Sequence, residues 1–318
     1  LIGNTAGNDV KMSERKIEGY RNFVNKFWNI SRFVLSQLES NPQKITDLKE
    51  EDLTLADKWI LSKMHSCSKN VKSLIKNHEF STAGELLRTF TKDNFADWYL
   101  EICKIEKNSA KNTILSEILK DLLRLWHPFI PFITETIWQE IESSMLMTES
   151  LPEKDKYKKH SDSEETFSLI QKIITEIRNA RAQYQLNPQQ KIKVILQTTR
   201  IKETLEENQD LIKILQTFTE KIEISNEQAK ISNAFYSQVG EIRIFIPLEG
   251  LIDVKKELER LEDEKNRLKN ILAVLEKKLQ NKKFTQNAPK EIVEKEKSKQ
   301  QQMKLKIKNI EKQVSNIK

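Results

Sequence analysis

Side chains able to transfer protons, attack as nucleophiles or hold a metal are few and scattered in this chain. The four histidines, His65, His78, His127 and His160, form no HExxH pattern and have no carboxylate pair beside them. His127 precedes Pro128 and reads as a structural residue at a helix end. Cys67 and Cys103 lie in helical patterns without CxxC spacing, which implies buried thiols in a reducing compartment and no metal site. Apart from Gly3 and Gly7, the glycines stand far from one another, so no loop is built to cradle phosphate. The chemistry that remains is that of charge. Residues 281–318 hold eleven Lys against four Glu, a balance of +7 that equals the net charge of all 318 residues. Lysines that displace condensed counterions bind a polyanion without reading its sequence, so nucleic acid is the ligand class this implies. Lysine-rich outer faces also keep coiled coils in solution, and that alternative stays open.

The lysines need an element to carry them, and the pattern from residue 251 supplies it. Leu251, Val254, Leu258, Leu261, Leu268, Leu272, Leu275 and Leu279 step by three and four, with Lys265 the one polar intruder. Those steps mark the core positions of a coiled coil. A second seam follows through Val293, Met303, Ile307, Ile310, Val314 and Ile317, with Glu296 and Gln300 nearest the loop. Pro289 suits the first turn of that second helix. Two arms of 29 residues span about 43 Å each at the helical rise. Equal arms joined by a short loop predict an antiparallel hairpin, too thin to hold a site but suited to act as a brace.

Ahead of the hairpin the chain reads as two further blocks. All five tryptophans fall in the first 138 residues. Helices are predicted over about 14–38, with Ile17, Tyr20, Val24, Phe27 and Trp28 on one face, and over 55–77 behind Thr54. Others are predicted over 82–106 behind Ser81, 109–127, and 131–143 behind Pro131. Asn41-Pro42 breaks the first from the second. Residues 143–164 are polar and read as a linker. A helix to about 184 and the alternation of Ile192, Val194 and Leu196 then open a small α+β module. It continues with a helix over 202–217, strands near 221–225 and 230–236, and a last strand at Ile242, Ile244 and Ile246. The expected organisation is a helical bundle over 1–142, a linker over 143–164, an α+β module over 165–250 and a coiled-coil arm over 251–318. The fold class is mainly α. No apolar run approaches the ~18 residues of a membrane span, and Leu1–Asp9 does not read as a signal peptide. The chain lacks an initiator Met and begins in mid-pattern, which suggests a piece of a longer protein.

Taken in order, these blocks resemble a known family. Glu18-Gly19-Tyr20-Arg21-Asn22-Phe23 with Asn25-Lys26-Phe27-Trp28-Asn29 and Arg32-Phe33-Val34-Leu35 is similar to the entry of the anticodon-binding bundle of valyl-tRNA synthetases. So are Leu55-Ala56-Asp57-Lys58-Trp59-Ile60, Asp97-Trp98-Tyr99-Leu100-Glu101 and Leu125-Trp126-His127-Pro128-Phe129-Ile130-Pro131-Phe132, the last shared by several class I synthetases. Ile246-Pro247-Leu248-Glu249-Gly250-Leu251-Ile252-Asp253, followed by a hairpin whose loop carries Lys283-Phe284 and Ala288-Pro289, resembles the valyl C-terminal arm. A bacterial isoleucyl enzyme would end in a cysteine-rich zinc module, and no cysteine follows Cys103. The resemblance covers all 318 residues but only the back part of the family's architecture. The HIGH and KMSKS signatures of the catalytic core are absent, and Lys11-Met12-Ser13-Glu14-Arg15 has Glu where the second lysine belongs.

What the resemblance implies is tRNA binding and positioning within a valine–tRNA ligase, with no catalytic residue and no metal in this chain. It places Arg15, Lys26, Phe33, Leu100 and Glu101 at the anticodon, with Phe33 presenting its ring to unstacked bases. It assigns the arm to the outer corner of tRNA, with Lys295, Lys299, Lys304, Lys306 and Lys308 as candidates for phosphate contact. Family arms often stack arginine, whereas 281–318 contains none. ATP and Mg would belong to the parent enzyme and no cofactor to this chain. Its partners would be valine-accepting tRNA and the catalytic core of the same synthetase, and it would act as a cytoplasmic monomer. The alternatives are an isoleucyl or leucyl parent, a synthetase-like paralogue acting as chaperone or regulator, and a structural or protein-interaction coiled coil.

Overall fold

The computed structural model describes residues 13–38, 45–153, 156–215, 217–226, 231–281 and 290–317. Lys11-Met12, Asn41-Pro42 and the hairpin loop of 282–289 lie outside them, as does part of the strand expected at 230–236. The chain divides into two compact units between Leu169 and Ile170.

In the first unit, α1 (Glu14–Gln37) buries Phe23, Phe27, Ile30 and Val34, a spacing of four, three and four that makes one helical face. Ile17 and Trp28, expected on that face, are instead exposed, because the buried stripe is centred one position away. Helix α2 (Leu55–Lys76) starts on a capping box, in which Asp57 N–H donates to Thr54 Oγ1 and Thr54 N–H to Asp57 Oδ2. The predicted helix over 82–106 is three pieces: α3 (Phe80–Thr89), a π-helix (Phe90–Leu100) and the single turn α4 (Glu101–Cys103). Ser81 falls inside α3 and does not cap it. The wide turn has a sequence cause. Phe90, Phe95 and Leu100 are all buried and five residues apart, as are Thr91 and Ala96, which matches i→i+5 bonding.

Helix α5 (Ser109–Trp126) is the bundle's axis, and Asn108 caps it by accepting from Lys111 N–H. Its Trp126 packs 5.0 Å from Phe23 between ring centres and donates from Nε1 to the buried Thr91 hydroxyl. Helix α6 (Pro131–Trp138) opens on the predicted proline. The polar stretch from 143 packs against the bundle. Leu146 is buried, and the buried Tyr157 donates to Asp121, which also takes Lys156 and Arg124. Two residues, Leu146 and Tyr157, anchor a strap whose polar composition reads as a linker.

The unit boundary falls within α7 (Ser161–Gln183), four residues earlier at its start than predicted. In the second unit, Ile170, Ile173, Ile174, Ile177 and Ala180 of α7 are buried. A mixed sheet has the order β2-β1-β4-β3, with β1 (Ile192–Gln197) parallel to β2 (Thr219–Ser225) and antiparallel to β4 (Ile242–Pro247). β3 (Ala234–Val239) forms a hairpin with β4 through Gly240, whose φ of +59° suits glycine. The helix expected over 202–217 breaks at Asn208 into α8 (Lys202–Glu207) and α9 (Gln209–Ile214). Arg181 is buried, with no carboxylate partner among the described residues, and donates to the carbonyls of Asn187, Pro188, Gln190 and Thr217, tying two loops to α7.

Helices α10 (Val254–Gln280) and α11 (Lys290–Ile317) pack on each other, and α11 also touches β3. Lys278 reaches Glu296, while Gln300 and Lys304 both reach Glu276, so numbers fall along one helix as they rise along the other. The pair is antiparallel. Leu261, Leu268, Ile307 and Ile310 are the buried centre of the seam. Lys265, its polar intruder, turns its ammonium to Glu262 at 2.6 Å.

Candidate nucleic-acid interface

Arg15, Lys26 and Phe33 are far apart in sequence but share one stripe of α1. Eighteen residues are five full turns and seven are nearly two, so the three side chains fall within about 20° of each other. They span about 27 Å of helix. Arg15 is exposed in the first turn, Lys26 and Phe33 are partly covered, and the exposed Asn22 and Asn29 lie beside them.

The π-helix and α4 supply the other wall. Lys26 Nζ donates to Asp97 at 2.7 Å. The Lys104 ammonium sits 5.7 Å from the centre of the Phe33 ring and 2.6 Å from Glu101 Oε1. Phe33 and Glu101 are thereby brought to one place through Lys104, a residue the sequence did not single out. Its signal was present: a lysine three residues after Glu101 on the same face. Leu100 is buried and supports this wall from below. Arg15 stands at the far end of the stripe, with none of the other four shown in contact with it.

A buried ion pair fixes the wall. Asp57 and Lys111 are almost wholly enclosed and 2.8 Å apart, and Lys111 also reaches Glu106 at 2.9 Å. Tyr99, next to Leu100, donates its hydroxyl to Asp57 at 2.7 Å. Burial works against the Lys111 ammonium, but Asp57 and Glu106 outweigh it and raise its pKa. Burial, with Asp57 beside it, pushes the Tyr99 phenol well above its usual range.

On the arm the five candidate lysines fall on two tracks. Lys295, Lys299 and Lys306 lie on one side of the seam within about 40°, and Lys304 and Lys308 on the other. Lys304 is engaged with Glu276 at 2.9 Å, and Lys299 reaches Glu296 at 3.6 Å. Lys295, Lys306 and Lys308 are exposed and have no carboxylate within ion-pair range among the described residues. Lys278 and Lys299 both reach Glu296, so the first track shares a broad face with the matching side of α10, which bears Arg267, Ile271, Val274 and Lys278. Val274 is 67% exposed, so apolar surface sits among these cations. The opposite face carries Glu259, Glu262, Glu276 and Glu311 beside its lysines.

Residues 57–196 match the anticodon-binding domain of tRNA ligases, and residues 253–318 match the valyl tRNA synthetase tRNA binding arm. The chain belongs to the valyl-tRNA synthetase family, in its anticodon-binding and arm region. The valine–tRNA ligase of Carboxydothermus hydrogenoformans is 36% identical over 313 residues, covering 94% of this chain and 35% of the relative. That of Thermotoga maritima is 34% identical over 302 residues, covering 92% and 34%. That of Staphylococcus carnosus is 32% identical over 328 residues, covering 99% and 37%. The chain thus spans about a third of the length of the curated relatives it matches. The arm match favours a valyl over a leucyl or isoleucyl parent. The α1 stripe precedes the first matched domain, so its candidate residues stand on the geometry above.

Proposed function

We propose that this chain grips valine-accepting tRNA at two places, with α1 and the π-helix at the anticodon and the coiled-coil arm at the outer corner. Phe33 offers its ring to an unstacked base, while Lys26, Lys104 and Arg15 meet the backbone around it and Leu100 supports the wall. Glu101 accepts from a base amino group. On the arm, Lys295, Lys299 and Lys306 contact phosphates, while Lys304 is spent on Glu276 and Lys308 lies with it on the more acidic opposite face.

The observation that carries this reading is the joining of an anticodon-binding domain and a tRNA-binding arm in one chain, with a basic and aromatic stripe on the helix that precedes the first. Holding tRNA in fixed geometry lets a separate catalytic core reach the acceptor end and removes an entropic part of the barrier. ATP and Mg belong to that core, as does valine activation. The setting is the cytoplasm and the working form a monomer; no described helix is long and apolar enough to cross a membrane.

An electrophoretic shift of the whole chain with valine-accepting tRNA, at low and moderate salt, tests the proposal. A salt-sensitive complex that survives an excess of double-stranded DNA is the expected result. Absence of any complex at low salt would leave the structural coiled coil as the better reading.

A further inference from the structure

Away from the α1 stripe, α2 turns a polar face toward the strap, opposite the apolar side chains that it buries. His65, Ser68, Lys69, Lys72 and Lys76 follow one another at steps of three, one, three and four, so they share a face. They line a cavity of about 500 Å³, closed on its other side by Glu153, Lys156 and Tyr157 of the strap. That volume lies in the range of small-ligand sites.

Among the described residues the charges there are not internally balanced. Lys156 is already held by Glu117 and Asp121, at 2.9 and 2.8 Å. Lys72 Nζ donates to the Pro152 carbonyl at 2.7 Å. Lys69 and Lys76 are exposed and reach no carboxylate among the described residues, leaving Glu153 as the one acid in the lining. His65 is set against the strap, with Nδ1 donating to the Tyr157 carbonyl. Ser68 is 4% exposed, and its hydroxyl has no hydrogen-bond partner, so a buried donor stands unused in the lining.

Three lysines and an unused hydroxyl around a half-open cavity fit an anion with several acceptor oxygens, and lysine binds phosphate as a point charge. We propose that the cavity between α2 and the strap is a phosphate-binding site, with Lys69, Lys72 and Lys76 on the oxygens and Ser68 donating to one of them. The phosphate belongs either to a nucleic-acid backbone or to a free polyphosphate compound.

Tripolyphosphate, titrated into the whole chain and followed by amide NMR, tests this. Saturable shifts are expected at 65–76 and 156–157. The Lys69→Gln/Lys76→Gln variant should bind about tenfold or more weakly, while keeping the parent unfolding temperature because both side chains are exposed. Lys107→Gln, an exposed control, should bind like the parent. Displacement by tRNA, together with weaker tRNA binding in the double variant, assigns the phosphate to the nucleic-acid backbone. Unchanged tRNA binding with lost tripolyphosphate binding assigns it to a free compound. Shifts confined to the arm, or equal affinity in the double variant, overturn the site.

Discussion

The Lys104 ammonium lies 5.7 Å from the centre of the Phe33 ring. This contact joins α1 to the turn after the π-helix and keeps a cation at a partly open aromatic face. A base stacking on Phe33 would meet ring and charge together, which is the combination that single-stranded nucleic acid favours.

Phe33→Ala is therefore expected to weaken binding of a valine-accepting anticodon stem-loop by about five- to hundredfold, the worth of one base–aromatic stack. Phe33→Tyr should retain most of the affinity. Fluorescence anisotropy with the labelled stem-loop measures both, and circular dichroism checks the fold. A folded Phe33→Ala variant that binds as tightly as the parent would make Phe33 a packing residue and move the anticodon pocket elsewhere.

The buried pair behind this wall governs stability. Lys111→Met leaves the enclosed Asp57 carboxylate uncompensated, at a cost of about 3–5 kcal/mol. Urea unfolding of the parent and the variant checks this, and a loss below about 1 kcal/mol would contradict an enclosed pair. Because Tyr99 hangs on Asp57, stem-loop binding should weaken as well. The pH dependence has a definite sign. Lys111 has a raised pKa, so its contribution is complete below the unfolded lysine pKa and fades as pH rises through the folded value. The raised Tyr99 pKa acts in the same direction, since the unfolded phenol ionises first. The urea midpoint should hold steady to about pH 9.5 and fall above about pH 10.

Much of this arrangement is legible in sequence. Thr54 followed three residues later by Asp57 marks the α2 cap, and the three-four steps of leucine and isoleucine mark the arm. The five-residue spacing of Phe90, Phe95 and Leu100 also stands in the sequence, but a search for periods near 3.6 passes over it. Lys104 was missed because its role depends on the meeting of two helices far apart in the chain. The strap was missed for another reason. Tyr157 is a single aromatic residue in polar surroundings, and its burial follows from a partner, Asp121, that no local pattern reveals. Leu146 stands between Met145 and Met147, which are exposed, so the short apolar run does not say which of its residues is buried.

The cysteines give a separate check on burial. Enclosure pushes both the Cys67 and the Cys103 thiol up to about 12. At pH 8 the thiolate fraction is then about one in ten thousand, and thiolate is the reactive form. Native protein should remain unlabelled by Ellman's reagent over minutes, and both cysteines should react once guanidinium unfolds the chain. Rapid stoichiometric labelling of native protein would show that one of these helices opens readily.

The arm makes the sharpest prediction because its two faces differ. Lys295, Lys299 and Lys306 share a face with Arg267 and Lys278, whereas Lys304 is already paired with Glu276. Each phosphate contact contributes about 0.7–0.9 to the logarithmic salt slope. Removing 251–318 should lower that slope for full-length tRNA by roughly two to three units while leaving the isolated stem-loop nearly unaffected. Lys295→Gln/Lys306→Gln should account for about 1.5 units of the change. Lys304→Gln/Lys308→Gln should alter it much less, because Lys304 spends its charge within the hairpin. Filter binding between low and moderate salt resolves these differences. Equal effects from the two pairs would mean that the arm presents no preferred face. Equal losses for full-length tRNA and stem-loop would place the arm at the anticodon and overturn the proposed contact with the outer corner.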